Sequence, residues 1–205
     1  MLWIVRAGSS DEEEALSLAR ATPQDLADAA ALGPERGAAR LYRRRLLRAF
    51  AARTLAVHPD AVGIARNDSG GVAITGPTPL FASVSGRDGW TALALSEHPV
   101  GVDVESRPAE TPLPLDLLHP RERDHLRGLE GAAANLAFLR FWTAREAYVK
   151  ATGAGLPIEL SRIEARDDGK GQEVLLREDG VVRARACPAV TDDYVAAVVQ
   201  IGAPD

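Results

Sequence analysis

The sequence predicts an α+β protein of two similar lobes, a pseudo-dimer in which each lobe is a long helix packed on a mainly antiparallel sheet. Three observations predict it. Each half holds one long helical stretch, 34–57 in the first and 132–152 in the second. Each half also holds several short β-prone runs separated by turns rich in Gly and Asp. Between them, Pro108, Pro112 and Pro114 mark a connection, so the lobes are expected to span 1–105 and 106–205. No internal repeat relates the halves; the likeness is one of order and length.

The elements follow in order. Residues 2–6 are apolar and read as a first strand. Residues 11–20 read as a short helix with Asp11, Glu12 and Glu13 in its first turn, where the helix dipole favours acids. The helix over 34–57 carries Arg36, Arg40, Arg43, Arg44, Arg45, Arg48 and Arg53, with Leu41, Leu47, Phe50 and Leu55 for its buried side. The arginines are either a solvated face or a face from which one or two reach an anionic ligand. A meander follows: a strand over 80–85, the turn Gly86-Arg87-Asp88-Gly89, a strand over 90–96, the turn Glu97-His98-Pro99 and a third strand over 100–105. A short helix starts near His119-Pro120. The long second helix stops at Gly153 and Gly155. Strands are expected over 158–165, 173–177, 181–186 and 194–199, with hairpin turns at Asp167-Asp168-Gly169 and Glu178-Asp179-Gly180.

Two segments carry chemistry. In Val100-Gly101-Val102-Asp103-Val104-Glu105, strand alternation puts Asp103 and Glu105 on one face and Val102 and Val104 on the other. In Trp142-Thr143-Ala144-Arg145-Glu146-Ala147-Tyr148-Val149-Lys150, Trp142, Glu146 and Lys150 recur every four residues on one helical stripe. Brought together, they place three carboxylates beside a lysine. Oxygen ligands of this kind suit Mg²⁺ or Mn²⁺, which share oxygens with a substrate phosphate, and the lysine is a point charge for that phosphate. Each segment also has an ordinary reading: Asp103 and Glu105 as the exposed face of an edge strand, Glu146 and Lys150 as a helix ion pair, Trp142 as core.

Composition narrows the class. The 205 residues are 46% hydrophobic and 26% charged, enough for a sizeable core. A formal net charge of -5 argues against general nucleic-acid or membrane binding. The single cysteine, Cys187, has no internal disulfide partner and reads as a small buried apolar residue. The apolar run Met1-Leu2-Trp3-Ile4-Val5 is too short for a signal peptide or a membrane span, so a soluble, cytoplasmic monomer is expected.

The two segments, in this order and spacing, resemble the paired signatures of the Sfp-type 4′-phosphopantetheinyl transferases, G-[IV]-D-[IV]-E and W-x-x-[KR]-E-A-x-x-K. Weaker likeness extends to Leu46-Leu47-Arg48, to Pro120-Arg121-Glu122-Arg123 and to Asp193-Tyr194-Val195-Ala196-Ala197-Val198. The resemblance implies transfer of 4′-phosphopantetheine from coenzyme A to a serine of an acyl or peptidyl carrier protein, releasing adenosine 3′,5′-bisphosphate. It implies metal ligation by Asp103, Glu105 and Glu146, with Glu146 as third ligand or as base, and charge neutralisation by Lys150. Two family features are absent. Ser83-Val84-Ser85-Gly86-Arg87 has Gly86 where N-[IVL]-S-H-[ST] has histidine, and Gly70-Gly71-Val72 stands where G-K-P is usual. In the family, that histidine and lysine contact phosphates of coenzyme A. Ser85, Arg87, Arg40, Arg48 and Lys150 are the candidates for binding it here.

Two other functions compete. One is a member without activity that binds a carrier protein or coenzyme A. The other is a metal-dependent phosphodiesterase or nuclease, disfavoured by the negative charge. Carrier domains of this type tend to be acidic. Leu113, Leu115, Leu117 and Leu118, flanked by Arg121, Arg123 and Arg127, are therefore either a docking wall or core under the second lobe.

Overall fold

The computed structural model describes residues 1–66, 71–76, 78–108, 113–153 and 162–202. Strands β1 (Leu2–Arg6), β2 (Gly63–Arg66), β3 (Val72–Thr75), β4 (Leu80–Arg87) and β5 (Trp90–Ser96) form one antiparallel sheet in the order β1-β5-β4-β3-β2. Helices α1 (Ser10–Leu18), α2 (Pro23–Ala30) and α3 (Pro34–Leu55) lie between β1 and β2 in sequence. The second antiparallel sheet joins β6 (Val100–Ser106), β7 (Ile163–Asp167), β8 (Val174–Glu178), β9 (Val181–Val190) and β10 (Tyr194–Gln200) in the order β6-β10-β9-β8-β7. Helices α4 (Pro120–Arg127) and α5 (Gly131–Thr152) belong with it. Each sheet has one 22-residue helix, α3 or α5, so the fold is α+β with two similar lobes. The expected strand over 158–165 is seen from Ile163 onward; its first half, and the stop at Gly155, lie outside the described residues.

The division between lobes differs from the expected one. Residues 100–105 do not extend the first meander. Instead β6 pairs antiparallel with β10, Val102 opposite Val198 and Glu105 opposite Val195. The physical reason is that β6 is apolar on the face away from Asp103. Val100, Val102 and Val104 pack face to face on Ala92 and Ala94 of β5 rather than edge to edge with it. The turn Glu97-His98-Pro99 thus carries the chain from one sheet to the other, and the sheets divide there rather than after Glu105.

Three apolar layers hold the molecule. The outer face of the first sheet (Ala82, Leu93 and Leu95, with Val5) meets Leu46, Leu47, Phe50 and Ala51 of α3. Leu41 and Leu55, expected on that buried side, are only partly covered. The two sheets meet through Ala92, Ala94, Val100, Val102, Val104 and Ala196. The far face of the second sheet (Ala165, Leu176, Ala186, Ala197 and Val199) meets Phe141, Ala144, Ala147 and Tyr148 of α5. In section the order is α3, first sheet, second sheet, α5. Between β4 and β5, Asp88 and Gly89 both have positive φ, 46° and 82°, the two-residue turn that matches strand twist. Cys187 is exposed, against expectation, because β9 alternates: Ala184 and Ala186 face the core and Arg183, Arg185 and Cys187 face out. Among the described residues, no helix is long and apolar enough to cross a membrane.

Candidate active site

The packing of α5 on β6 builds the site, and Gly101 permits it. A Cβ on Gly101 would lie 1.8 Å from the Ala147 carbonyl oxygen and 2.5 Å from the Ala151 nitrogen. The helix backbone rests directly on the strand there, opposite the small residues Ala147 and Ala151. Asp103 and Glu105 continue the same strand face, so they come up beside Glu146 and Lys150.

The contacts are specific. Lys150 Nζ donates to Asp103 Oδ1 at 2.6 Å, to Ser85 Oγ at 3.0 Å and to the Val102 carbonyl at 3.2 Å. The Ser85 hydroxyl in turn donates to Asp103 Oδ1 at 2.8 Å. Ser83 Oγ, two residues earlier on β4, accepts from the Val102 amide at 3.1 Å. Two serines of the first sheet therefore hold the edge strand of the second. Glu105 pairs with Arg87 Nε at 3.4 Å and accepts from the Trp142 side chain. Trp142 also stacks on Phe138, so it serves both core and site.

Asp103 is buried, and its Oδ2 has no hydrogen-bond partner. Burial raises the Glu105 carboxyl above the usual range, and the Asp103 charge raises it further; Arg87, Trp142 and Lys150 oppose the shift. Burial and then Asp103 raise Glu146 in the same way, against Lys150 and Arg145. Three acids crowded into one half-buried face repel one another, and a cation would relieve that. Among the described residues, no three acidic, histidine or cysteine side chains are close enough to cage a metal by themselves. Hard oxygen donors, an orphaned Asp103 Oδ2 and mutually raised glutamates fit Mg²⁺ or Mn²⁺ whose coordination is completed by ligand oxygens.

The structure thus brings together Asp103, Glu105, Glu146, Lys150, Ser85 and Arg87. It does not bring Arg48 there. Arg48 is 2% exposed and ties α3 to α2 through Asp25 Oδ2 (2.9 Å) and to the chain before β2 through the Val62 carbonyl (3.3 Å). A guanidinium so enclosed cannot meet a ligand. Arg40 pairs with Asp28 at 2.8 Å. Leu118 is fully buried, and Leu113 and Leu115 pack with it on Leu126, Phe138 and Val195. The leucine cluster is therefore core, with Leu117 exposed beside it.

Residues with structural weight that the sequence reading did not single out are Gly101, Arg145 and Glu122. Arg145 is completely buried and ion-pairs with Glu122, which also accepts from the Ala165 amide at 2.5 Å. The basic position of the second signature thus locks α4, α5 and β7 together one residue before Glu146.

A cavity of about 320 Å³ opens beside Lys150, lined also by Val72, Phe81, Val100, Thr152 and Gly153. A larger cavity, about 610 Å³, lies elsewhere, between Leu95, Val182 and Cys187, and holds none of these carboxylates.

Known proteins resemble this chain. Residues 99–199 match the family model of the 4′-phosphopantetheinyl transferase superfamily. The chain is 28% identical over 102 residues to a 4′-phosphopantetheinyl transferase of Aneurinibacillus migulanus, covering 49% of this chain and 42% of that one. It is 23% identical over 127 residues to a 4′-phosphopantetheinyl transferase of Bacillus subtilis, covering 60% and 57%. The chain thus spans about half the length of these relatives. Among solved structures, a holo-(acyl-carrier-protein) synthase from Bacillus anthracis in complex with CoA (3′,5′-ADP) aligns with a TM-score of 0.42 at 24% identity, over 51% of this chain and 95% of that one. Through residues 99–199, which hold both signature segments, this chain belongs to the 4′-phosphopantetheinyl transferase superfamily.

Proposed function

We propose that the chain is an Sfp-type enzyme that moves 4′-phosphopantetheine from coenzyme A to a serine hydroxyl of an acyl or peptidyl carrier protein, with Mg²⁺ or Mn²⁺. The observation that carries the reading is the convergence of Asp103, Glu105, Glu146 and Lys150 around one face of β6. In the reaction the serine oxygen forms a bond to the phosphorus that bears pantetheine. The bridging P–O bond breaks, and its electron pair leaves with adenosine 3′,5′-bisphosphate. The serine proton needs a base.

Glu146 is assigned that role by its place on α5, beside Asp103 and Lys150. Asp103 and Glu105 are assigned to the cation, which supplies charge neutralisation on the pyrophosphate when bound. Lys150, held by Asp103, Ser85 and the Val102 carbonyl, offsets charge building on the leaving group. Arg87 orients Glu105. Ser85 fixes Asp103 and Lys150 and so acts on coenzyme A through them. The reading sets the reaction in the cytoplasm, with no nucleic acid or membrane involved, which suits a chain whose one cysteine is unpaired.

The test is to incubate the protein with Mg²⁺, coenzyme A and an apo carrier protein and to weigh the carrier by mass spectrometry. A phosphopantetheine-sized mass gain is expected with the native chain. It should be lost in chelator and lost with Asp103→Asn, which keeps the side-chain shape while removing the charge. Turnover by that variant equal to the native chain overturns the assignment of Asp103. An unmodified carrier with the native chain overturns the activity.

A further inference from the structure

Strand β6 ends its sheet, with β10 along one side of it. On its other side it meets β4 through side chains. Ser83, Ser85 and Arg87 share one face of β4 and reach Val102, Asp103 and Glu105. Val84 faces away, into a hollow of about 460 Å³ lined by Arg36, Arg40, Arg43 and Arg44 of α3.

Val102 is held at both of its backbone polar groups, which point to the same edge of the strand. Its amide donates to Ser83 Oγ at 3.1 Å, and its carbonyl accepts from Lys150 Nζ at 3.2 Å. Val102 is fully buried and Ser83 nearly so, so water does not reach this amide and the serine hydroxyl supplies its acceptor. One residue thus joins the first sheet to Lys150, and Asp103 is the next residue along.

The molecule contains its own control. The lobes repeat one order of elements, and Trp90 of β5 stacks on Tyr194 of β10 with ring centroids 4.6 Å apart. Followed from that pair along the registers, β1 answers to β6 and β9 to β4. Leu2 stands at the place of Val102, Trp3 at that of Asp103, Cys187 at that of Ser83 and Ala189 at that of Ser85. The helices agree. Arg48 and Arg145 lie equally far along α3 and α5, both are buried, and each pairs with an acid of the preceding helix. By the same correspondence Arg53 stands for Lys150 and Ala49 for Glu146.

The second junction keeps the sheets and loses the acids, and Arg53 there lies over the Trp3 ring at 4.7 Å. It also has, in place of Ser83, an exposed cysteine, whose sulfur is a weak acceptor. Packing of sheet on sheet therefore does not by itself require a hydroxyl at this position. The junction that carries the carboxylates is the one that has it.

We propose that Ser83 is a positioning residue: its bond to the Val102 amide fixes β6 against α5, and through Val102 it places Asp103 for the cation and Lys150 for the phosphate. The proposal deepens the transferase reading and rests on it for the meaning of the rate. Without the hydroxyl, a buried amide lacks its acceptor and β6 must shift to find another. That shift moves Asp103 and loosens the contact between Lys150 and the Val102 carbonyl.

The experiment compares the full native chain with three substitutions at one position. Ser83→Thr keeps the hydroxyl. Ser83→Cys keeps the size and puts on β4 the weak acceptor that β9 carries. Ser83→Ala removes the acceptor. Cys187→Ala, at the other junction, is the control. Each is checked by its thermal melt. Mn²⁺ binding is followed by water proton relaxation with no substrate present, and carrier transfer is resolved into kcat and the KM of each substrate. Ser83→Cys and Ser83→Ala should weaken Mn²⁺ about tenfold and lower kcat about ten- to hundredfold, the scale of losing a group that orients a ligand, with the carrier's KM within about twofold. Ser83→Thr should stay within about threefold of native in both, and Cys187→Ala should change neither.

A lowered Tm with native Mn²⁺ binding and native kcat gives Ser83 a structural role only and overturns the proposal. Native behaviour of Ser83→Cys overturns it, as does a Ser83→Thr that resembles Ser83→Ala. A rise in the carrier's KM in place of the fall in kcat overturns it, and so does a native chain that takes up no Mn²⁺. Should Ser83→Ala fail to fold, Ser83→Cys carries the test. The mass assay of the carrier reports separately on the transferase reading. Mn²⁺ binding lost in Ser83→Cys and kept in Ser83→Thr, in a chain that never modifies a carrier, upholds the role of Ser83 and defeats only that reading.

Discussion

Replacing Gly101 by alanine should damage the protein twice, through stability and through placement. The added Cβ would stand 1.8 Å from the Ala147 oxygen, 2.5 Å from the Ala151 nitrogen and 2.9 Å from the Ala147 carbonyl carbon. All three belong to helix backbone, so no rotamer change relieves them. Ordinary carbon contacts begin near 3.5 Å, so α5 must withdraw from β6 by roughly 1.5 Å. Overpacking of this kind costs about 1–3 kcal/mol, and a clash with backbone belongs at the upper end. For a chain of this length that is a fall in Tm on the order of 6–12 °C.

The same withdrawal carries Glu146 and Lys150 away from Asp103. Misplacement by about 1 Å at a reacting centre can cost on the order of a hundredfold in rate. The assay is a pair of measurements: a thermal melt, and the initial rate of carrier modification at a temperature where the variant is fully folded. The expected result is a lowered Tm together with a rate at least about a hundredfold down. A variant that melts like the native chain refutes the packing argument. A folded, destabilised variant with near-native rate refutes the claim that this packing positions the site.

Two further outcomes follow from buried ion pairs outside the site. Glu122→Ala should cost about 3–5 kcal/mol in urea unfolding, because it leaves Arg145, which is wholly buried, without its counter-charge; a loss below about 1 kcal/mol would show that water or relaxation replaces the pair. Asp25 gives a pH signature. Burial alone would raise its carboxyl, but the Thr22 backbone and side-chain bonds and the Arg48 charge outweigh burial and hold it below the usual range. A carboxyl depressed in the folded state stabilises above its unfolded pKa of about 3.9 and loses that contribution as pH falls through the folded value. The Tm gap between the native chain and Asp25→Asn should therefore be full at neutral pH and narrow steadily below about pH 5. A gap that stays constant into strong acid would remove Asp25 from the acid transition.

The long elements were legible because they carry periodicity. The spacing over 34–57 and 132–152 predicts helices, and α3 and α5 occupy Pro34–Leu55 and Gly131–Thr152. Helix α2 was not anticipated, although Thr22 and Asp25 form a capping box with Pro23 at the first helical position, a signal the sequence displays. Strands β2 and β3, four residues each, are too short to show alternation. The sheet to which β6 belongs was not legible at all. A run of valines between acids alternates in the same way whether its neighbour is β5 or β10, and only packing decides.

At the site, Asp103, Glu105, Glu146 and Lys150 could be grouped because strand and helix periods put them on defined faces. Arg48 was misplaced for the same reason: position on a helix tells which stripe a residue shares, not whether that stripe faces a ligand or Asp25. The arginine hollow was visible only as charge on one helix. Its second wall comes from β2, β3 and β4, and no local pattern relates those strands to α3.

The charge balance of the two sites explains why they differ in chemistry. Around β6, Asp103, Glu105 and Glu146 oppose Lys150 and Arg87, which leaves one negative charge in excess. A diphosphate approaching that face would be repelled. A divalent cation reverses the sign of the excess, and the reversal is largest where Asp103 Oδ2 is without a partner and where Asp103 raises both glutamates. Metal and diphosphate should therefore bind there together, each weakly without the other. The hollow on α3 has the opposite arrangement. Asp28 and Asp25 pair directly with Arg40 and Arg48 and also act on Arg44, and Arg36 and Arg43 add positive charge to the same hollow.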